Sequence, residues 1–245
     1  LLDYNDVDDR EDVSDSIKDN DDENKRIGVQ NFADLISSLI ITYPSDDSSV
    51  SGLNTVVHRI EKKNEYNLRQ YEFKENKENF FDNDSLNNHA CKLAAVINQV
   101  ENTEGIVLVY SQYITGALVP LALALETRGY IRTTNGEKGN TVPLLLLRNN
   151  KELFKNKPKY ALITGEEDYT YKNDKAALME KIKSEQNCTG QKIKIVLISS
   201  AASEGIDFKN IRQVHILNPW YNMSLIEQII GRAVRTNSHK DLLPE

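Results

Sequence analysis

Short apolar runs alternate with longer amphipathic stretches from about residue 85 onward. Four runs are continuous enough for buried parallel strands, and each stops in small or polar residues. They are 105–110, 159–164, 193–198 and 214–217. The stretches around them follow the helical period and predict helices over 85–100, 116–128, 174–184 and from Ser224 onward. This alternation predicts an α/β fold in which a parallel sheet is covered by helices on both faces.

The first 84 residues lack this alternation. Residues 1–26 hold eleven acidic and four basic side chains, which predicts an acidic, flexible and partly disordered segment. Such a segment can mimic nucleic acid and cover a basic groove, but a solvated linker is the simpler interpretation. Residues 27–84 predict a linker or accessory segment, in which 31–41 is apolar enough to pack and 53–81 fits either a helix or a strand pair. The α/β domain is therefore predicted to span 85–245.

The net negative charge comes from one end of the chain and does not describe the predicted α/β domain. The 245 residues carry a net charge of −7, and 1–26 account for all of it, so the remaining chain is neutral and can hold local basic patches. Two distant cysteines, Cys91 and Cys188, argue against a disulfide framework and predict a reducing, intracellular compartment. No apolar run has the length of a membrane span. The chain begins with Leu1 instead of Met, which favours a fragment of a longer protein.

The candidate chemistry lies in the loop after the third predicted strand and in the last helix. The loop 199–207 is rich in small and polar residues, and ligands bind at the carboxyl ends of parallel strands. Ser224 and Glu227 have the spacing of a capping box, which predicts a helix that starts at Ser224. One face of this helix is then apolar and contains Ile226, Ile229, Ile230 and Ala233. The opposite face is polar and contains Gln228, Gly231, Arg232 and Arg235.

Gly231 decides between two interpretations of the polar face. An amphipathic helix with a solvated basic face is the simpler one. Glycine inside a helix, however, costs about 0.5–1 kcal/mol relative to alanine. A solvated face gains nothing from that cost, whereas a face that a ligand approaches closely does. The helix is therefore predicted to present Gly231 and its polar neighbours to a ligand.

Four stretches resemble motifs of superfamily-2 helicases and translocases, in that family's order and spacing. The polar face, Gln228-x-x-Gly231-Arg232-x-x-Arg235, resembles motif VI, and 199–207 resembles motif V. Residues 109–112 resemble motif IV, and 163–165 resemble the motif at the following strand end. The resemblance covers about 85–240 and implies the second RecA-like domain of the motor. In detail the chain is similar to helicase-like nucleoside triphosphatases of large DNA viruses, of the poxvirus transcription triphosphatase and early transcription factor type.

The resemblance implies roles for individual residues at two surfaces. Arg232 and Arg235 would act as arginine fingers, and Gln228 would reach the γ-phosphate. The other residues implied to face the nucleotide are Gly205, Asp207 and Gly231, with Asp207 near the ribose. The residues implied to contact the nucleic-acid backbone are Ser111, Gln112, Gly165, Ser199 and Ser200.

The chain lacks the phosphate loop G-x-x-x-x-G-K-[ST] that the family carries in its first domain. ATP with Mg²⁺ is the implied cofactor, and its magnesium ligands are expected in an upstream RecA-like domain, so this chain alone is expected to be inactive. The other implied partners are DNA or RNA and a viral RNA polymerase, in the host cytoplasm or the virion. Two alternatives remain: a non-catalytic scaffold domain with a helicase fold in a viral transcription complex, and an unrelated α/β nucleotide-binding fold such as a sugar-nucleotide transferase.

Overall fold

The computed structural model describes most of the chain from residue 35 onward. The described residues are 35–44, 49–61, 64, 67–134, 141–147, 157–170, 174–203, 205–218, 223–240 and 242. The predicted acidic segment 1–26 lies outside them. The strands are β1 (Val57–Arg59), β2 (Tyr71–Phe73), β3 (Ile106–Tyr110), β4 (Ile131–Arg132), β5 (Lys159–Ile163), β6 (Ile195–Ile198) and β7 (Ile211–Ile216). The helices are α1 (Ser49–Val56), α2 (Asn83–His89), α3 (Cys91–Asn102), α4 (Val119–Thr127), α5 (Asp174–Lys183), α6 (Ser200–Ser203) and α7 (Met223–Ala233). None of the helices in this described part is long and apolar enough to cross a membrane.

Five strands form one parallel sheet in the order β4-β5-β6-β3-β7. β3 lies between the central strand β6 and the edge strand β7, and its Tyr110 aligns with Ile198 of β6 on one side and with Ile216 of β7 on the other. The predicted runs match β3, β5 and β6, whereas β7 begins at Ile211, three residues before the predicted run. The sequence pattern does not predict β4, because that edge strand has only two residues.

Apolar side chains pack against both faces of this sheet. On one face, Val109 of β3 lies in a cluster with Leu121 of α4. On the other face, Tyr110 lies in a cluster with Ile182 of α5 and Ile229 of α7. The predicted α/β fold, a RecA-like parallel sheet with helices on both faces, is confirmed.

The described part of the predicted accessory segment 27–84 packs against the first of these clusters. Ile41, Leu53 and Phe81 are buried in the same cluster as α4. The stretch 53–81 contains both of the predicted alternatives, because the end of α1 is followed by antiparallel pairing of β1 with β2. The domain boundary at residue 85 stays a prediction.

The helix predicted over 85–100 is wrong as a single element. α2 ends at His89 and α3 begins at Cys91, because Ala90 leaves the helical conformation with φ −152° and ψ 56°. The carbonyl of His89 accepts the backbone amide of Thr42 at 2.8 Å. A contact with a residue so far back in the chain leaves no trace in a local periodicity, so the sequence pattern does not show the break.

The helix predicted over 116–128 differs from the structure at its start. The chain first forms a π turn, Ile114–Leu118, and α4 follows directly. The predicted C-cap is wrong by one position, because the C-cap is Arg128, and Gly129 closes the helix as the next residue, with a φ of 86° and an amide that donates to the carbonyl of Glu126 at 3.0 Å. A glycine in this left-handed conformation is a common way to satisfy the last carbonyls of a helix.

One buried carboxylate ties α4 to the chain that follows β4. Glu126 accepts the backbone amides of Leu144 at 2.8 Å and Leu145 at 2.6 Å, and the hydroxyl of Tyr160 at 2.7 Å. Burial raises the pKa of Glu126 above its ordinary value. These three bonds hold the chain after β4 against the helix and the sheet.

Candidate functional site

Helix α7 carries most of the residues predicted to face a ligand. It begins one residue before the predicted start at Ser224, which is therefore wrong by one position. Of the predicted apolar face, Ile229 and Ala233 are buried as expected. Ile230 is 42% exposed, and Leu225 packs against the core in its place. This part of the prediction is wrong because Ile230 lies about 100° around the helix from Ile229, beyond the buried stripe.

Arg235 does not lie on the helix. Since α7 ends at Ala233, the predicted polar face holds for three of its members and is wrong for Arg235. The backbone amide of Arg235 donates to the hydroxyl of Ser238 at 3.1 Å, where a helical residue would donate to a carbonyl one turn back. The position of Arg235 therefore depends on the turn after the helix.

Six residues line one open depression of about 420 Å³. Two come from the loop between α6 and β7, three from α7 and one from the turn that follows α7. They are Gly205, Asp207, Gln228, Gly231, Arg232 and Arg235. These are the six residues that the sequence analysis assigns to the nucleotide, so the structure brings that whole set together. Their individual roles stay predictions.

Contacts across the depression join the loop to the end of the helix. Arg235 Nη1 lies 2.7 Å from Asp207 Oδ2, and these two side chains are 58% and 51% exposed. The amide of Phe208 donates to the carbonyl of Arg232 at 2.9 Å, and Arg232 Nη1 approaches the carbonyl of Ile206 at 3.4 Å. The loop and the helix end form one unit, and an anion can reach Arg235 by displacing the carboxylate of Asp207.

The structure requires glycine at only one of the two glycine positions in the depression. Gly205 has a φ of 69°, a conformation that L side chains rarely adopt, so the loop itself requires glycine there. Among the described residues, a Cβ added to Gly231 would meet no atom within 4 Å outside its own helix backbone. Packing therefore does not require glycine at position 231, and the space in front of it is open to a ligand.

The five residues predicted to contact nucleic acid follow strands at the carboxyl edge of the sheet. They are Ser111 and Gln112 after β3, Gly165 after β5, and Ser199 and Ser200 after β6. The amide of Ser111 donates to the carbonyl of Ile198 at 3.2 Å, and the amide of Ser199 donates to that of Ile163 at 3.1 Å. This ladder brings the ends of β3, β5 and β6 side by side. The predicted contact with nucleic acid stays a prediction.

Some buried polar groups at this edge form hydrogen bonds, whereas others have no partner among the described residues. Ser111 Oγ donates to Asn218 Oδ1 at 2.6 Å and accepts the amide of Tyr113 at 3.0 Å. Ser199 Oγ and Asn218 Nδ2 are also buried, but neither has a hydrogen-bond partner among the described residues. Asn218 is a site candidate that sequence reasoning missed, and its place directly after the last apolar run was the available signal.

Gly165 has a packing reason that the sequence does not show. A Cβ added there would lie 2.7 Å from the Cβ of Ala201 in α6. The short helix after β6 therefore needs a glycine in the loop after β5. The predicted approach of a nucleic-acid backbone to Gly165 stays a prediction.

Comparison with known proteins shows which family the chain belongs to. Residues 91–237, more than half of the chain, match the family described as the helicase conserved C-terminal domain. The chain belongs to that family. The resemblance to the C-terminal RecA-like domain of superfamily-2 helicases, predicted from the motifs of the two surfaces, is thereby confirmed.

Relatives of this helicase C-terminal domain include proteins of large DNA viruses, which confirms the predicted viral type. A termination factor NPH-I homolog of African swine fever virus is 31% identical over 177 residues, which cover 64% of this chain and 24% of that protein. A candidate ATP-dependent RNA helicase of Acanthamoeba polyphaga mimivirus is 31% identical over 158 residues, with the same shares of 64% and 24%. A candidate helicase of Invertebrate iridescent virus 3 is 32% identical over 162 residues, 64% of this chain and 15% of that protein. The chain spans about a quarter or less of these curated relatives.

In this helicase C-terminal domain, a cluster that the sequence does not show holds the loop after β5. Arg69 forms an ion pair with Asp168, and its Nη1 donates to the hydroxyl of Tyr169 at 2.9 Å. The hydroxyls of Tyr169 and Tyr71 lie 2.8 Å apart, and Tyr71 belongs to β2. The loop that contains Gly165 is therefore tied to residues about 100 positions earlier in the chain.

The described residues of the helicase C-terminal domain contain no group of three or more His, Cys, Asp or Glu side chains placed to hold a metal ion. His215 of β7 contacts a neighbour on the same strand, since its Nε2 lies 3.1 Å from Gln213 Oε1. Burial lowers the pKa of His215 below its ordinary value of 6.5. Its surroundings fit a structural side chain that stays neutral to a lower pH than an unburied histidine does.

Proposed function

We propose that this helicase C-terminal domain is the second motor domain of an ATP-dependent helicase or translocase. In that role it supplies Arg232 and Arg235 to an ATP site that it shares with an upstream RecA-like domain. The observation that carries the proposal is the depression of about 420 Å³, in which two arginines and a glutamine converge with an aspartate.

The charges of the depression suit the phosphate groups of a nucleotide. A guanidinium group presents its N–H donors as a planar fork that pairs with two phosphate oxygens, and lysine does not reproduce this geometry. Arg235 is held by the carboxylate of Asp207 in an exposed pair, of a kind worth about 0–1 kcal/mol. A phosphate group can replace that carboxylate at little cost, and Asp207 is then free to accept from ribose hydroxyls.

The residues of this chain act on the charge that develops while the terminal phosphate is transferred. ATP with Mg²⁺ would supply the phosphoryl group and the metal charge, and we propose that the magnesium ligands lie in the upstream domain, which carries the phosphate loop in this family. Arg232 and Arg235 bind the phosphate oxygens, and Gln228 reaches the same group from α7. An arginine supplied across a domain interface is worth about 10³–10⁵ in rate.

The carboxyl edge is the proposed path of the nucleic acid. Hydroxyl and amide groups there can bind phosphate and sugar oxygens, which positions a strand without reading its base sequence. Ser199 Oγ and Asn218 Nδ2 are buried without a hydrogen-bond partner among the described residues, and they become available to the acceptors of a nucleic-acid backbone when the loops at this edge move apart. Two relatives are named as an RNA helicase and a termination factor. We therefore propose DNA or RNA as the ligand and a viral RNA polymerase as a partner.

ATP hydrolysis by this chain joined to its upstream motor domain tests the proposal. The measurement compares nucleic-acid-stimulated turnover of the parent protein with that of Arg235→Lys. We expect turnover to fall by about 10³-fold or more while ATP binding is largely kept, because lysine retains the charge but not the fork.

Arg59→Lys is the matched control for this experiment. Arg59 is also half exposed and also paired with an aspartate, since its Nη2 lies 3.7 Å from Asp168 Oδ2, but it belongs to β1 and does not line the depression. Turnover of Arg59→Lys is expected to equal that of the parent. Unchanged turnover in Arg235→Lys would remove the arginine-finger assignment and favour the non-catalytic scaffold domain.

A further inference from the structure

The turn that carries Arg235 is built around one serine. The amide of Ser238 donates to the carbonyl of Arg235 at 3.0 Å, and the amide of Arg235 donates to Ser238 Oγ at 3.1 Å. Asn237, inside the turn, has a φ of 63°, a left-handed conformation that asparagine tolerates better than most residues. Both backbone polar groups of Arg235 are therefore bound by Ser238.

His239 orients the hydroxyl of Ser238 in turn. Ser238 Oγ lies 2.8 Å from His239 Nδ1, and His239 Nε2 lies 2.9 Å from the carbonyl oxygen of Ile211. Because a carbonyl oxygen only accepts, Nε2 carries a ring proton, and in the tautomer with its proton on Nε2 the Nδ1 atom accepts a hydrogen bond from the serine. The hydroxyl of Ser238 therefore donates to His239 and keeps its lone pairs for the amide of Arg235.

The hydrogen bonds from Arg235 through Ser238 and His239 lead to the first residue of β7. Ile211 is the first residue of β7, and β7 pairs with β3. The amide of Asn210 donates to the carbonyl of Ser238 at 2.8 Å, which adds a second link at the same place. Ser238 is only 5% exposed, so water competes little for these bonds. The turn is fastened to the sheet, and the backbone of Arg235 is fastened with it.

We infer that Ser238 and His239 are positioning residues for Arg235. Their side chains fix the backbone from which the guanidinium group reaches the depression, and they do not themselves contact the nucleotide. The inference rests on the proposed function of Arg235. A misplacement of about 1 Å can cost about 10²-fold in rate, so loss of the Ser238 hydroxyl is expected to lower kcat.

The first test is Ser238→Ala in this chain joined to its upstream motor domain. We expect kcat for ATP hydrolysis to fall by about 10- to 100-fold with the KM for ATP nearly unchanged, because the lost interaction acts in the transition state. Ser184→Ala is the matched control, since Ser184 Oγ donates to the carbonyl of Lys181 at 2.9 Å after α5 and lies outside the depression. An unchanged kcat, or a change in KM alone, overturns the inference.

His239→Gln provides a second variant in case Ser238→Ala does not fold. A glutamine amide can still donate to the carbonyl of Ile211 but has no acceptor where Nδ1 lies, so the link to Ser238 is lost. We expect kcat to fall in the same direction and by a smaller factor, while thermal unfolding shows that the chain is folded. A folded His239→Gln protein with the kcat of the parent overturns the inference.

A double-mutant comparison separates failure of this inference from failure of the proposed function. If Ser238 acts through Arg235, then Ser238→Ala added to Arg235→Ala lowers kcat no further. Losses that multiply show that Ser238 acts elsewhere, and they overturn the inference while the loss in Arg235→Ala alone still supports the proposed function. Parent turnover in Arg235→Ala overturns the proposed function and this inference with it.

Discussion

The two candidate surfaces of this domain differ in how far the fold depends on them. In the depression, the side chains of Asp207 and Arg235 are more than half exposed, and a Cβ on Gly231 would meet none of the described residues outside its helix. At the carboxyl edge, the hydroxyl of Ser111 is buried and bonded to Asn218, and Gly165 leaves no room beside Ala201. Substitutions of Gly231, Asp207 or Arg235 in the depression should therefore separate activity from stability, whereas substitutions of Ser111 or Gly165 at the carboxyl edge should change both.

The largest contrast is expected between alanine substitutions of the two glycines. Gly165→Ala places a methyl group 2.7 Å from the Cβ of Ala201 and should destabilise the chain by about 1–3 kcal/mol, the usual cost of overpacking. Gly231→Ala meets open space inside a helix and should stabilise the chain by about 0.5–1 kcal/mol. Urea unfolding of the two variant chains measures both free energies.

The same two variants test the proposed use of the depression. The methyl group added by Gly231→Ala lies where a nucleotide is proposed to bind, so ATP turnover of the joined protein should fall although the chain is more stable. Equal changes in the free energy of unfolding for Gly165→Ala and Gly231→Ala would contradict the conclusion that only Gly165 is closely packed. Full turnover by Gly231→Ala would contradict the assignment of the depression to the nucleotide.

A second contrast is expected between two serines at the carboxyl edge. Ser111→Ala leaves Asn218 Oδ1 and the amide of Tyr113 without their partner, and should cost about 1–3 kcal/mol. Ser199→Ala removes a buried hydroxyl that has no partner among the described residues, so the free energy of unfolding should stay equal or rise slightly. Urea unfolding distinguishes the two, and filter binding of a labelled oligonucleotide should show weaker binding by Ser199→Ala.

The result for Ser199→Ala decides whether Ser199 at the carboxyl edge serves a ligand or the fold. A stable Ser199→Ala variant with weaker nucleic-acid binding would show that this edge also holds groups reserved for a ligand. A loss of stability as large as that of Ser111→Ala would instead show that Ser199 serves the fold, and would leave its proposed contact with the nucleic-acid backbone without support.

The sequence predicts the members of both surfaces but not the bonds that shape them. Parallel strands end at the same edge of a sheet, so the order of strands and loops already places the residues after β3, β5 and β6 together. The motif resemblance likewise pairs the loop after β6 with the last helix. The turn at Arg235 is missed because the partner of its amide is the side chain of Ser238, while the helical spacing continues past Ala233.

Contacts between distant parts of the chain account for other differences. The break at Ala90 accompanies a bond from Thr42 to His89, 47 positions away. Arg69 holds the loop after β5 through Tyr169, 100 positions away. Helical and strand periodicity describe windows of about ten to twenty residues, so contacts of this range leave no mark on them.

A smaller effect is expected from Asp207→Asn. The exposed pair with Arg235 should contribute about 0–1 kcal/mol at low salt and almost nothing at about 1 M salt, where the Debye length is about 3 Å. The loss in Ser111→Ala should be the same at both salt concentrations, because its hydrogen bonds are buried and neutral. Urea unfolding at two NaCl concentrations compares the variants. A salt-independent loss in Asp207→Asn would mean that the depression is not the exposed surface described here.

The smallest expected effect is a change in how the free energy of unfolding depends on pH, and it concerns His215 on the strand that leads to the carboxyl edge. His215 of β7 precedes Asn218 by three residues, and burial lowers its pKa below 6.5. Between its folded-state pKa and 6.5, the unfolded chain binds more protons than the folded chain, so stability rises with pH across that window and is complete above it. His215→Gln removes this contribution, so the dependence of stability on pH should become flatter there.

Urea unfolding at pH values from about 5 to about 7.5 measures this slope for the parent, for His215→Gln and for His58→Gln as an exposed control on β1. The same slope in the parent and in His215→Gln would show that the strand leading to the carboxyl edge is open to solvent, and the two surfaces would no longer differ in burial. If the slope of stability against pH is flatter only in His215→Gln, then His215 is a titrating group on the strand that leads to the carboxyl edge. Because salt acts on the Asp207–Arg235 pair and pH acts on His215, the two surfaces could then be perturbed independently in one protein.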